Sequence, residues 1–135
     1  MAAIGSLLNT SPLRGAGRND YLFYVKFDTV TGATDPDGVS PAYGGDITVA
    51  HADTGDYTIT FAADKKPYAL RIGEASILGD QAGFHAKVTG YTASTGVLTV
   101  SVYDEDNTSG IQAVANSNDV TVQVWCIFTK SGDGF

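Results

Sequence analysis

The stretch DYLFYVKFD, residues 20–28, alternates with a period of two: Tyr21, Phe23, Val25 and Phe27 fall on one side of an extended chain, Lys26 and Asp28 on the other. Aromatic and β-branched residues dominate it, as they do on the pleated, half-buried surface of a sheet. Leu22 and Tyr24 make the nominally polar side apolar as well. The double-sided pattern returns in Val124–Phe128, where Trp125 and Ile127 stand opposite Val124, Cys126 and Phe128. A sandwich strand normally offers one face to the core and one to water, so a second apolar face calls for a cover. Leu22, Tyr24, Trp125 and Ile127 are therefore the expected subunit interface, because interfaces concentrate aromatic side chains and shed charge. The competing covers are the N-terminal segment and a loop of the same chain, such as Thr29–Gly45.

Working outward, Thr29–Gly45 is rich in Thr, Gly, Asp and Pro and is expected to be a long loop. Ile47 and Val49 open a short strand, and Asp53-Thr54-Gly55-Asp56 turns the chain into DYTITF, residues 56–61, a half-buried strand pattern. Leu70 and Ile72 are placed together on one face of the next strand, with a break near Gly73-Glu74. Phe84, Ala86 and Val88 mark another strand, GYTASTG (residues 90–96) a turn, and Leu98, Val100 and Val102 a further strand. The last runs from Val120 to about Phe128. Seven or eight strands result, and no eleven-residue window supports a helix. The expected fold is all-β: an antiparallel β-sandwich of jelly-roll or related Greek-key topology over residues 20–135, preceded by an irregular N-terminal arm, residues 1–19.

The 135 residues suit one domain, and a chain of this size buries about two-thirds of its unfolded surface. Charged residues make up only 17% of it, and the net charge is −7. The sum hides a division. Residues 1–19 hold Arg14 and Arg18 and no acid, leaving six bases against fifteen acids, net −9, in the remainder. An acidic body argues against nucleic acid or anionic lipid as a partner. No stretch has the length and flanks of a signal or membrane-spanning segment, so folding in a cytoplasm is expected.

Chemistry-bearing motifs are few. Cys126, the one cysteine, excludes an intrachain disulfide, and its apolar strand predicts an inert thiol of raised pKa. His51, near a strand end, and His85, on a polar strand face, have no metal-ligand spacing and read as exposed or hydrogen-bonded surface residues. The loops Asp35-Pro36-Asp37-Gly38 and Asp104-Glu105-Asp106-Asn107 gather oxygen ligands of the kind calcium takes, but turn chemistry explains them better. Apart from Glu74, every acid lies in or beside a polar turn, which suggests no buried carboxylate pair for acid–base work. Hence no catalytic, cofactor-binding or metal residue is expected, and no enzyme.

The arm up to Asn19, the stretch GDYTITF (residues 55–61) and the ending NDVTVQVWCIFT (residues 118–129), within a body rich in Gly, Thr and Ala, resemble the small capsid decoration, or cement, proteins of tailed bacteriophages. The turn-into-strand grammar is also similar to trimeric phage and C1q-like jelly rolls. The resemblance implies a homotrimer on the capsid exterior of a virion that reinforces contacts between major capsid protein subunits. It carries over no functional residue. An arm of 19 residues could extend some 60 Å, and its positive charge suits an acidic shell surface. Ile4, Leu7, Leu8, Leu13, Arg14 and Arg18 are thus the expected capsid-contacting side chains. The alternative is a receptor- or carbohydrate-binding sandwich of a tail fibre or adhesin, with Tyr43, Tyr91 or Tyr103 as platforms.

Overall fold

The computed structural model describes residues 20–30, 33–78, 83–104, 112–113 and 120–130. In chain order the strands are β1 (Asp20–Val30), β2 (Thr34–Ser40), β3 (Ile47–Asp53), β4 (Asp56–Phe61), β5 (Ala69–Leu78), β6 (Phe84–Thr92), β7 (Val97–Asp104), the two-residue β8 (Gln112–Ala113) and β9 (Thr121–Thr129). One sheet has the order β2-β1-β9-β5 and the other β3-β4-β7-β6, with β8 beside β7. All pairs are antiparallel. The sheets pack together with β2 next to β3 at one edge and β5 next to β6 at the other. Around the sandwich β4 to β7 therefore run in the order β5-β6-β7-β4, a Greek key, and β9 returns between β1 and β5. The chain forms the all-β sandwich its alternation predicts. Residues 1–19 lie outside the described residues.

Alternation decides what goes inside. Phe23, Val25 and Phe27 of β1 meet Ile59 and Phe61 of β4, Leu98, Val100 and Val102 of β7, and Val122, Val124, Cys126 and Phe128 of β9 in one buried core. Each such side chain contributes roughly 1.5–3 kcal/mol when fully buried. Phe23 is the hub of an aromatic cluster, with ring centroids 5.1 Å from Phe61, 5.8 Å from Phe128 and 5.4 Å from Tyr43. Phe27 packs 5.7 Å from Tyr57 farther along the same strand.

Three local expectations need correction. Thr29–Gly45 is not simply a loop, because it contains β2, which pairs with β1 through the register points Lys26↔Ser40, Asp28↔Asp37 and Val30↔Thr34. Its sequence, TDPDGVS, has no alternation, and it sits at a sheet edge, where a proline costs no ladder bond. Gly38 has φ +61, and a Cβ there would run into the Asp28 carboxylate, so the edge strand needs glycine at this position. Second, the register shift in β5 falls between Leu70 and Ile72 rather than near Gly73-Glu74. It turns Leu70 toward the core and Ile72 away from it, so the two do not share a face. Third, β6 runs through Thr92, with a shift between Val88 and Gly90 that brings Tyr91 back to the core; only the end of GYTASTG is turn.

Candidate functional site

The outward face of the β2-β1-β9-β5 sheet carries several apolar side chains that the core does not use, Leu22, Ile72 and Leu78 among them. Leu22 lies directly across from Ile127, and Ile127 across from Ile72, so one aliphatic row crosses β1, β9 and β5. In the next row Tyr24 faces Trp125 and Trp125 faces Glu74. Leu22 is 36% and Ile72 52% exposed, whereas Tyr24, Trp125 and Ile127 are half-buried. All four expected interface residues thus stand together. Ile72 joins them unforeseen, because period-two counting from Leu70 placed it inside; the bulge is what moves it.

Polar groups border this patch at both ends. Beyond Leu22, Asp20 accepts a 2.8 Å hydrogen bond from the Thr129 hydroxyl and lies 3.4 Å from the Arg71 guanidinium. Asp20 is buried, which corrects the expectation that no carboxylate besides Glu74 leaves the polar turns. Beyond Tyr24, the tyrosine hydroxyl donates to Gln123 Oε1 at 3.2 Å, and Gln123 Nε2 donates to Ser76 Oγ at 2.9 Å, a polar tie across three strands. An apolar centre framed by satisfied polar groups is the anatomy of a protein contact surface. The glutamate in the middle row is exposed.

The described residues of the Thr29–Gly45 stretch do not cover this face. They extend the sheet sideways as β2, then turn Tyr43 onto the edge of the core, where its ring stacks on Phe23 and its hydroxyl donates to the Tyr24 carbonyl at 2.6 Å. Burial pushes the Tyr43 hydroxyl above its ordinary pKa, a shift its backbone bond only partly offsets. Tyr91 is similarly committed: its hydroxyl donates to the Pro67 carbonyl at 2.7 Å, its ring packs 5.1 Å from Phe128, and desolvation raises its pKa to about 12. Neither tyrosine is a free platform for a sugar. Tyr103 has the Lys87 ammonium 5.1 Å above its ring.

The opposite sheet presents a different outer face. Thr58 lies across from Thr99 and Thr48 from Thr60; the Thr89 and Thr99 hydroxyls are 2.6 Å apart, and Ser101 donates to Asp56 at 2.7 Å. Such hydroxyls satisfy one another or water, so this face needs no cover. A shallow depression of about 400 Å³ on it is lined by the same groups.

The groups weighed for chemistry are placed as follows. Cys126 is fully buried and desolvation raises its thiol to about 12, the inert state expected. His51 is half-buried in β3 across from Tyr57, their rings 5.7 Å apart. Its backbone N–H donates to Asp35 Oδ1 at 2.9 Å, which gives that β2 carboxylate a structural role. His85 is exposed. Among the described residues, no three His, Cys, Asp or Glu side chains gather into a metal-binding group. Ile4, Leu7, Leu8, Leu13, Arg14, Arg18 and residues 105–107 lie outside the described residues. No family model matches the chain, and searches of the curated proteins and of the solved structures also found no match.

Proposed function

We propose that this chain is a structural virion protein that decorates and stabilises a viral capsid, assembling as a homotrimer and bridging major capsid protein subunits on the shell exterior. The observation that carries the reading is the outward row Leu22–Ile127–Ile72 beside Trp125, a contact-ready face on a domain whose core is complete without it. Isolated exposed apolar residues are ordinary, but a contiguous row with a polar border is typical of a surface buried in an assembly.

Further support comes from the two-sided character of the body. A threonine-rich sheet suits contact with water, and the aromatic and aliphatic sheet suits contact with protein, so the sandwich has an outside and an inside with respect to an assembly. Its antiparallel core supplies the rigidity a reinforcing subunit needs, and the basic segment before Asp20 suits an acidic shell. Cosedimentation with expanded capsids tests the reading. The full chain is expected to bind, and a folded variant lacking residues 2–19 to bind weakly; unchanged binding of that variant would remove the arm from the mechanism.

A further inference from the structure

We propose that three copies of this chain close around an axis parallel to β9, the β5 margin of each outward face meeting the β1 margin of the next, with Ile72 against Leu22 and Glu74 paired to Lys26 at every contact. This rests on the reading of that face as a contact between copies and deepens it: it names which margin meets which and the charges that select the match.

The face is open at both margins. β5 is the edge strand on one side. On the other, among the described residues, β2 lies beside β1 only from Lys26 to Val30, so Leu22 and Tyr24 have no strand beyond them. The aliphatic row therefore runs from margin to margin, Leu22 at one and Ile72 at the other, with Ile127 between. An axis along β9 keeps each row at its own height in every copy. Ile72 of one copy then meets Leu22 of the next without a shift along the strands.

Charge selects the same match. On β1, β9 and β5, Asp20 and Arg71 lie 3.4 Å apart within one copy, and Asp28 accepts a 2.6 Å hydrogen bond from the Thr121 hydroxyl. That leaves Glu74 on β5, across from Trp125, and Lys26 on β1, across from Gln123 in the next row. Neither has an ion-pair partner among the described residues. Within one copy they stand two strands and one row apart, a backbone separation of about 12 Å with β9 between. Around the ring the Glu74 margin abuts the Lys26 margin of the next copy, and the remaining offset of one row, about 7 Å, is spanned by the two side chains.

The width of the face sets the number of copies. Three strands span about 14 Å, and a three-sided prism of that width leaves about 4 Å from each sheet to the axis, close to half the roughly 10 Å at which two sheets pack. Four sides would leave about 7 Å and an open axis. In the ring of three, Trp125 and Ile127 on the middle strand fill the axis, and Glu74 keeps to the rim. A twofold axis along β9 would instead lay Glu74 on Tyr24 of the facing copy, inside the contact, where a carboxylate costs most. Head-to-tail contacts of this kind close into rings.

Sedimentation of full-length charge-reversal variants tests the match. Glu74→Lys and Lys26→Glu are each expected to raise the concentration at half-assembly about tenfold, because each sets like charges together three times in the ring. Both reversals in one chain restore every pair, and association should return to within a factor of about three of the original. A double variant no better than the single ones would overturn the pairing. An equal mixture of the two single variants should recover only in part, since a ring of three must contain one contact between like variants. Full recovery on mixing, at the mass of two chains, would place a twofold axis on the face and overturn the ring. If Lys26→Glu fails to fold, Lys26→Met and Glu74→Gln form a double-mutant cycle, in which a coupling of about a factor of three or more is expected and none would overturn the pairing. Reversals that leave the trimer unchanged, while Ile72→Asp dissociates it, would overturn this match and leave assembly through the face standing. A trimer that survives Ile72→Asp as well, or a chain that stays monomeric, would overturn both.

Discussion

Leu22 lies directly across from Ile127 on the outward side of the β1–β9 pair, two register positions from the hydrogen-bonded Asp20 and Thr129. Both side chains are turned away from the core, on the face proposed to be buried in an assembly. Ile127→Asp is accordingly expected to lower self-association about tenfold or more. Ile72→Asp, at a more exposed position, should change monomer stability by no more than about 0.5 kcal/mol. Analytical ultracentrifugation and urea midpoints measure the two effects separately. A large loss of stability in Ile72→Asp would mean that this face serves the fold and not an assembly.

Phe23 offers the contrasting case. Its ring is fully buried and touches Phe61, Phe128 and Tyr43. Phe23→Ala is expected to cost about 3–5 kcal/mol by leaving a cavity between the sheets. The urea unfolding midpoint gives the value.

The tyrosine hydroxyls separate the structural reading from a glycan-binding one. Tyr91→Phe removes the 2.7 Å bond to the Pro67 carbonyl and should cost about 0.5–1.5 kcal/mol. No change on a glycan array is expected, since the ring packs against Phe128. Saccharide binding that disappears in this variant would revive the alternative.

Cys126 makes stability fall at high pH. Burial raises its thiol from 9.0 to about 12, so the unfolded chain releases that proton first. Between these values the native state holds more protons than the unfolded one, and stability drops by up to roughly 1.4 kcal/mol per pH unit. The contribution is fully present below the unfolded value and is lost as pH rises toward the folded one. Cys126→Ala should flatten the decline between about pH 9 and about pH 11. Tyr91, shifted in the same direction, remains in both proteins, so the difference between their urea midpoints isolates the thiol.

Much of this architecture is legible in the chain because alternation is a local property. Tyr21 to Phe27, Tyr57 to Phe61 and Val122 to Phe128 each announce which side chains face inward, and the structure places them there. The second apolar side of β1 and β9 is legible for the same reason. Its alignment into one row is not, because the register Leu22↔Ile127 depends on pairing over about a hundred residues of intervening chain. Ile72 is hidden by a single bulged residue, since one extra position reverses every assignment after it. β2 escapes because an edge strand needs neither alternation nor a full set of donors.

The most direct test of the account is the mass of the full chain in solution as its concentration is varied. Assembly through the outward face predicts a species of three times the 14.1 kDa of one chain, dissociating on dilution as Trp125 becomes accessible to quencher. A mass that stays at that of one chain at every concentration would contradict it.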